Sequence, residues 1–139
     1  MKRMLPLSLM LASIVLMILP FGVRMAFANP DGPPFIQYYS YFSEMPIGYG
    51  NFFPILTVIL SLAVIITLAV KARNHTQIKY IGGKVILICL CGCLLLSLLS
   101  WIVFNAISIV GVFVAVLHSA ALAMELFGEK CCKKKMHHN

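Results

Sequence analysis

Charge is what this sequence has least of. Charged residues make up 11% of its 139 residues, and only four are acidic: Asp31, Glu44, Glu125 and Glu129. A soluble domain carries about 25% charged residues, so a water-facing globular surface is not available to this chain. None of the long apolar stretches holds a carboxylate at its centre, which argues against a proton-coupled exporter. There is no Gly-rich phosphate loop, no His-Glu-x-x-His pair and no nucleophile–base set. The chain therefore reads as non-enzymatic and without a cofactor. Tryptophan occurs once, as Trp101. Cysteine is missing from residues 24–51, so no disulfide framework is expected there.

What remains is apolar. Hydrophobic residues account for 61% of the chain and the mean hydropathy is +0.97. A membrane-crossing helix needs about 20 such residues at 1.5 Å rise each. The runs "MLPLSLMLASIVLMILPFGV" (4–23) and "FFPILTVILSLAVIITLAV" (52–70) each meet that length. The run from Val85 to Phe127 is too long for one span and is expected to fold back on itself. Its most polar window, "SWIVFNAIS", places the turn near 103–106, because Asn105 tolerates turn conformations. The expectation is an all-α, polytopic, four-helix membrane bundle, with helices over about 4–23, 52–72, 84–103 and 106–127.

The net charge of +7 is explained by where the cations sit, without a nucleic-acid partner. Lys2 and Arg3 precede the first run, Lys71, Arg73, Lys79 and Lys84 lie in the 71–84 loop, and Lys130, Lys133, Lys134 and Lys135 lie in the 128–139 tail. Only Arg24 falls elsewhere. Basic short loops stay cytoplasmic, which gives both ends inside, an outer loop at 24–51, and a multi-pass protein of the cell membrane. The basic tail then acts as a stop-transfer anchor, and each lysine contributes on the order of 1 kcal/mol toward anionic headgroups. The first run also has the layout of a secretory signal, with "AFA" at Ala26–Ala28 as a cleavage site. Its apolar length and the nearness of Arg24 favour retention as a helix.

Several side chains are candidates for chemistry. Cys89 and Cys93 share a helix face at four-residue spacing. With Cys131, Cys132, His137 and His138 they form a weak set of soft metal ligands, although adjacent tail cysteines depart from the usual zinc spacing. The alternative is that Cys89 and Cys93 pack as small hydrophobes. Membrane-proximal Cys131 and Cys132 are also placed for lipid attachment. In the last run Gly111, Ala115, Ser119 and Ala123 recur every four residues, a small-residue stripe of the kind that lets helices approach closely in lipid. His118 and Glu125 lie beside it, seven residues apart. An ionisable group at that depth faces the interior. His118 is expected to be neutral and bonded to a neighbouring serine, or else to line a path. Glu125 is expected to meet a lysine at the cytoplasmic boundary.

The stretch "YYSYFSEMPIGYGNFF" (38–53) is dense in rings. Tyr38, Tyr39, Tyr41, Phe42 and Tyr49 are expected to form an interfacial belt and an outer contact surface. The preceding "NPDGPPFIQ" reads as a turn-rich connection rather than a strand, with a short flat helix conceivable over 35–43. Asn51 and Pro54 suit the start of the second long helix. Over residues 38–70 the sequence resembles small uncharacterised four-span membrane proteins of Gram-positive bacteria. That resemblance implies no activity and transfers no site. Three functional expectations are open to such a chain. The first is a membrane protein that self-associates or serves as an accessory subunit. The second is a small oligomeric transporter or channel with His118 in the path. The third is a thiol-based metal handler.

Overall fold

The structure is a computed structural model that describes residues 4–43, 50–73 and 79–136. Glu44, Tyr49, His137 and His138 lie outside the described residues, as do the side chains of Cys131 and Cys132. The described chain is mostly helical. Helix α1 (Leu5–Ile18) is followed by strands β1 (Val23–Phe27) and β2 (Phe35–Tyr39), then by α2 (Phe53–Arg73), α3 (Lys79–Phe104) and α4 (Ile109–Met136).

Among the described residues, three segments are long and apolar enough to cross a membrane: Phe53–Arg73, Gly82–Phe104 and Ile109–Gly128. Helix α1 is not. Its 14 residues reach about 21 Å, short of the roughly 30 Å of a hydrocarbon core. The expected helix over 4–23 is thus corrected to Leu5–Ile18. Pro20 is the cause. It lacks an N–H, its ring clashes with the carbonyl four residues back, and it forces the preceding residue out of helical geometry. Leu19 is accordingly extended, at φ −62° and ψ 141°, and its N–H donates to Leu16 O at 3.2 Å.

Residues 23–39 form an antiparallel hairpin, not a loop or a flat helix, which adds a small two-stranded sheet to a mostly helical fold. Val23 pairs with Tyr39, Arg24 with Tyr38, Met25 with Gln37, Ala26 with Ile36 and Phe27 with Phe35. The Pro- and Gly-rich residues read as a turn do form the turn, between two strands. Alternation fixes the register: Val23 and Met25 are buried while Arg24 is half-buried and Ala26 exposed. At the turn end Phe27 and Phe35 stack with centroids 5.2 Å apart. At the base, Tyr41 N–H donates to Met17 O at 3.1 Å, tying the hairpin to the end of α1.

Helix α2 packs most extensively on α3, α1 packs on α4, and α3 and α4 and then α1 and α2 complete a closed ring. One cluster at the hairpin end joins Met17, Val23, Met25, Tyr41, Val58, Ala106 and Val114. A second at the other end joins Met10, Val64, Leu68, Ile86, Leu90 and Ala121. Position in the two clusters shows that α1 runs antiparallel to α2 and α4. The α3–α4 turn falls at 105–108, where Asn105 takes φ 48°. This is the left-handed region that asparagine tolerates. Ser108 then caps α4: its Oγ accepts from Gly111 N–H at 2.9 Å and donates to Gly22 O.

Two glycines meet at this corner. A Cβ on Gly22 would sit 2.7 Å from Tyr41 Cδ2, and a Cβ on Gly111 would meet Ser108 Oγ at 2.9 Å and Tyr41 Oη at 3.3 Å. Gly111 therefore seats the hairpin base on α4. The remainder of the predicted small-residue stripe turns outward, with Ala115 half-buried and Ser119 and Ala123 exposed.

Candidate functional site

The exterior is apolar, and the interior mixes apolar clusters with an unusual number of polar side chains. Large apolar side chains such as Ile66, Ile88, Ile102 and Ile109 are exposed, whereas Ser13, Asn51, Thr57, Ser61, Ser97, Ser100, Ser108, His118 and Glu125 are buried. In water this arrangement would be unfavourable on both counts. In hydrocarbon it is the expected one.

The buried polar groups come together along α2. Near its start, Asn51 Oδ1 accepts from Phe53 N–H at 3.3 Å, and Asn51 Nδ2 donates to Ser100 Oγ of α3 at 2.9 Å. Midway, Ser61 Oγ lies 2.9 Å from His118 Nε2 of α4 and 3.6 Å from Cys93 Sγ of α3. Near its end, Lys71 Nζ donates to Glu125 Oε2 of α4 at 2.5 Å. Asn51, Ser61 and Lys71 are ten residues apart, about 15 Å along a helix axis. The partner order also shows that α2 and α4 run parallel and α3 runs against both.

Proton accounting defines the central contact. His118 is fully buried. Its Nδ1 lies 2.7 Å from Val114 O. A carbonyl only accepts, so Nδ1 carries the proton. In the neutral ring Nε2 is then an acceptor, and the Ser61 hydroxyl must donate to it. The same hydroxyl is also 2.7 Å from Thr57 O, but it has one proton to give. Cys93 Sγ, 3.7 Å from Thr57 O, offers its weak S–H to that carbonyl instead. Every donor in the neutral set then has an acceptor. Three helices are pinned at one point, and Ser61–His118 bridges the diagonal of the ring.

The expected serine partner of His118 is thus Ser61, and the expected lysine partner of Glu125 is Lys71. The two pairs are separate contacts. Cys93 is buried in the network, Cys89 is half-buried one turn away and Cys91 is exposed. Among the described residues no group of three or more His, Cys, Asp or Glu is placed to hold a metal ion. Ser13 Oγ on α1 and Ser97 Oγ on α3 are buried with no hydrogen-bond partner among the described residues.

The outer aromatic set is divided. Tyr38 and Phe42 are exposed and Tyr39 is half-buried, with its hydroxyl donating to Gln37 Oε1 at 2.5 Å. Tyr41 is 5% exposed, so the expectation that it belongs to a contact surface is corrected. Its ring fills the space left by Gly22 and Gly111. Sequence reasoning does not pair Ser61 with His118, and it does not single out Ser100, Ser108 or Gly22. A hydroxyl four residues after Thr57 at mid-span is the available signal for Ser61. A groove of about 380 Å³ beside the hairpin is lined by Phe21, Tyr38, Ile107, Ser108, Ile109, Val110 and Val112. No protein-family model, no curated protein and no solved structure matches the chain.

Proposed function

We propose that this is a non-enzymatic, multi-pass protein of the cell membrane that works by contact, as a self-associating protein or an accessory subunit of a membrane complex. Its helices form a four-helix bundle in which α2, α3 and α4 cross the membrane and the basic tail lies inside, and the hairpin is its extracytoplasmic contact surface. The observation that carries this reading is the state of His118. Both ring nitrogens are engaged by Ser61 and Val114, and the residue is fully buried. A side chain used up in this way holds helices together. The surface left over for partners is mostly apolar, with Phe35, Ile36, Tyr38 and Phe42 on and beside the hairpin, and it includes the small residues Ser119 and Ala123 on α4.

Site-specific photocrosslinking in intact membranes tests this reading. A crosslinker replacing Phe42 or Ala123 is expected to give adducts of one or two defined masses, and one replacing buried Val64 none. Failure of both exposed positions to give any protein adduct would defeat it.

A second reading, a small oligomeric transporter or channel with His118 in the path, draws support from Ser13 and Ser97. These orphaned hydroxyls extend the polar interior onto α1 and further along α3. Buried hydroxyls without partners are sites where water or an ion is expected. Under that reading His118→Leu abolishes flux in proteoliposomes while leaving assembly intact.

A further inference from the structure

The groove beside the hairpin has the features of a lipid site, and we propose that it binds one phospholipid of net negative headgroup charge. This inference rests on the membrane reading above but concerns the leaflet that meets the hairpin, opposite the basic tail.

Two independent features converge there. The first is shape. The groove is walled on one side by Phe21 and Tyr38, whose rings meet edge to face at 6.5 Å, and on the other by the start of α4. Its volume of about 380 Å³ lies within the range of built ligand pockets, roughly 300–1,000 Å³. It does not end blindly. Ile109, Val112, Phe113 and Val116 are all exposed, and at spacings of three and four they continue the groove as one apolar ridge down α4. An acyl chain lying along that ridge enters the groove at its headgroup end.

The second feature is charge. Arg24 is paired directly with Tyr38 across the hairpin, so the two side chains stand on one face with Cβ atoms about 5 Å apart. Tyr38 lines the groove, and the Arg24 side chain, rooted next to it on the same face, is long enough to reach the groove's mouth. Arg24 is half-buried and has no ion-pair partner among the described residues. A guanidinium presents a fork of donors that fits a phosphate. Position also matters: ten of the chain's eleven Lys and Arg residues lie in the three basic segments, and Arg24 alone stands in the 24–51 loop. A lone cation left on that side against the general bias is explained by a headgroup that it holds.

The test uses the full chain in proteoliposomes with a phosphatidylglycerol carrying a photoreactive acyl chain, and peptide mapping of the labelled protein. Labelling is expected to concentrate on residues 107–116. It is expected to fall about tenfold in Arg24→Gln, the effect of losing one charge-assisted contact, and also in Val112→Trp, which fills the groove without touching Arg24. Unlabelled phosphatidylglycerol should compete, and free glycerol phosphate or phosphatidylcholine at the same concentration should not. Labelling spread evenly onto Ile88 and Ile102 would overturn the proposal, as would labelling unchanged by Arg24→Gln in monodisperse protein. Competition by free glycerol phosphate would assign Arg24 to a soluble anion instead. Release of the chain by alkaline carbonate would remove the membrane reading itself. Retention with even labelling would remove only the lipid site.

Discussion

Replacing either member of the Ser61–His118 pair removes the same hydrogen bond, yet the two replacements should not cost the same. In Ser61→Ala the imidazole stays buried with its Nε2 lone pair facing a methyl group. An acceptor left unsatisfied costs about 1–3 kcal/mol, and interhelical hydrogen bonds measured in membranes fall toward the lower part of that range. About 1–2 kcal/mol of destabilisation is expected. In His118→Leu the Ser61 hydroxyl is released to Thr57 O, already 2.7 Å away, and Val114 O keeps its helical partner. Leucine nearly conserves the side-chain volume, so the cost should stay below about 1 kcal/mol. The double variant Ser61→Ala/His118→Leu should then resemble His118→Leu alone, because no orphaned lone pair remains. The pair would show a coupling of about 1–2 kcal/mol, the whole cost of Ser61→Ala, in a double-mutant cycle. Reversible unfolding in mixed micelles, monitored by far-ultraviolet circular dichroism, measures all four proteins. If His118→Leu is the more costly single change, or if the two effects simply add, the proton assignment is wrong.

Other perturbations probe the corner and the tail end. Gly22→Ala brings a Cβ within 2.7 Å of the Tyr41 ring and should cost about 1–3 kcal/mol through overpacking, whereas Gly50→Ala, with nothing within 4 Å, should be silent in the same melt. Burial pushes the Tyr41 phenol from 10.0 up to about 12. The folded state therefore holds that proton between pH 10 and about 12 while the unfolded state releases it, so stability falls as pH rises through this window. The loss is about 2–3 kcal/mol in total; Tyr41→Phe should flatten that part of the pH–stability curve, and an unchanged slope would place the phenol in contact with solvent. Lys71→Met leaves the Glu125 carboxylate, 10% exposed, without its partner, and should cost more than the charge-conserving Lys71→Arg, by about 1–2 kcal/mol after allowing for partial solvent access. Equal melting of the two variants would mean that the ion pair contributes nothing.

Much of the helical part is legible because hydrocarbon imposes a simple rule. A long apolar run with basic flanks has few alternatives to a helix, and helices α2, α3 and α4 obey it. Asn105 marks its own turn, since few other non-glycine residues adopt φ 48° at low cost. The first run misleads because hydropathy counts Val23, Met25 and Phe27 equally whether they continue a helix or form a strand. Pro20 holds the missing information, and its effect on Leu19 stops the helix whichever residues come after it. The hairpin is hidden for a related reason: "NPDGPP" reads as a turn, but the five residues on each side of it read as parts of different neighbours. For the interior, composition says that His118 needs a hydroxyl and Glu125 a lysine. It does not choose Ser61 or Lys71, because that choice depends on α2 and α4 running side by side across the ring. Tyr41 shows the limit most plainly. It is one of several rings in a row, and only the facing glycines at 22 and 111 set it apart as core.

The central claim is that the outer surface, not the interior, carries the function. The mass of the particle extracted from native membranes in a mild detergent tests it most directly. Wild type and His118→Leu should both give a particle heavier than the 15.4 kDa chain in its micelle, containing a second copy or a fixed partner. Tyr38→Ser combined with Phe42→Ser should return it to a single chain. A wild-type particle that is already a single chain with no partner would contradict the account.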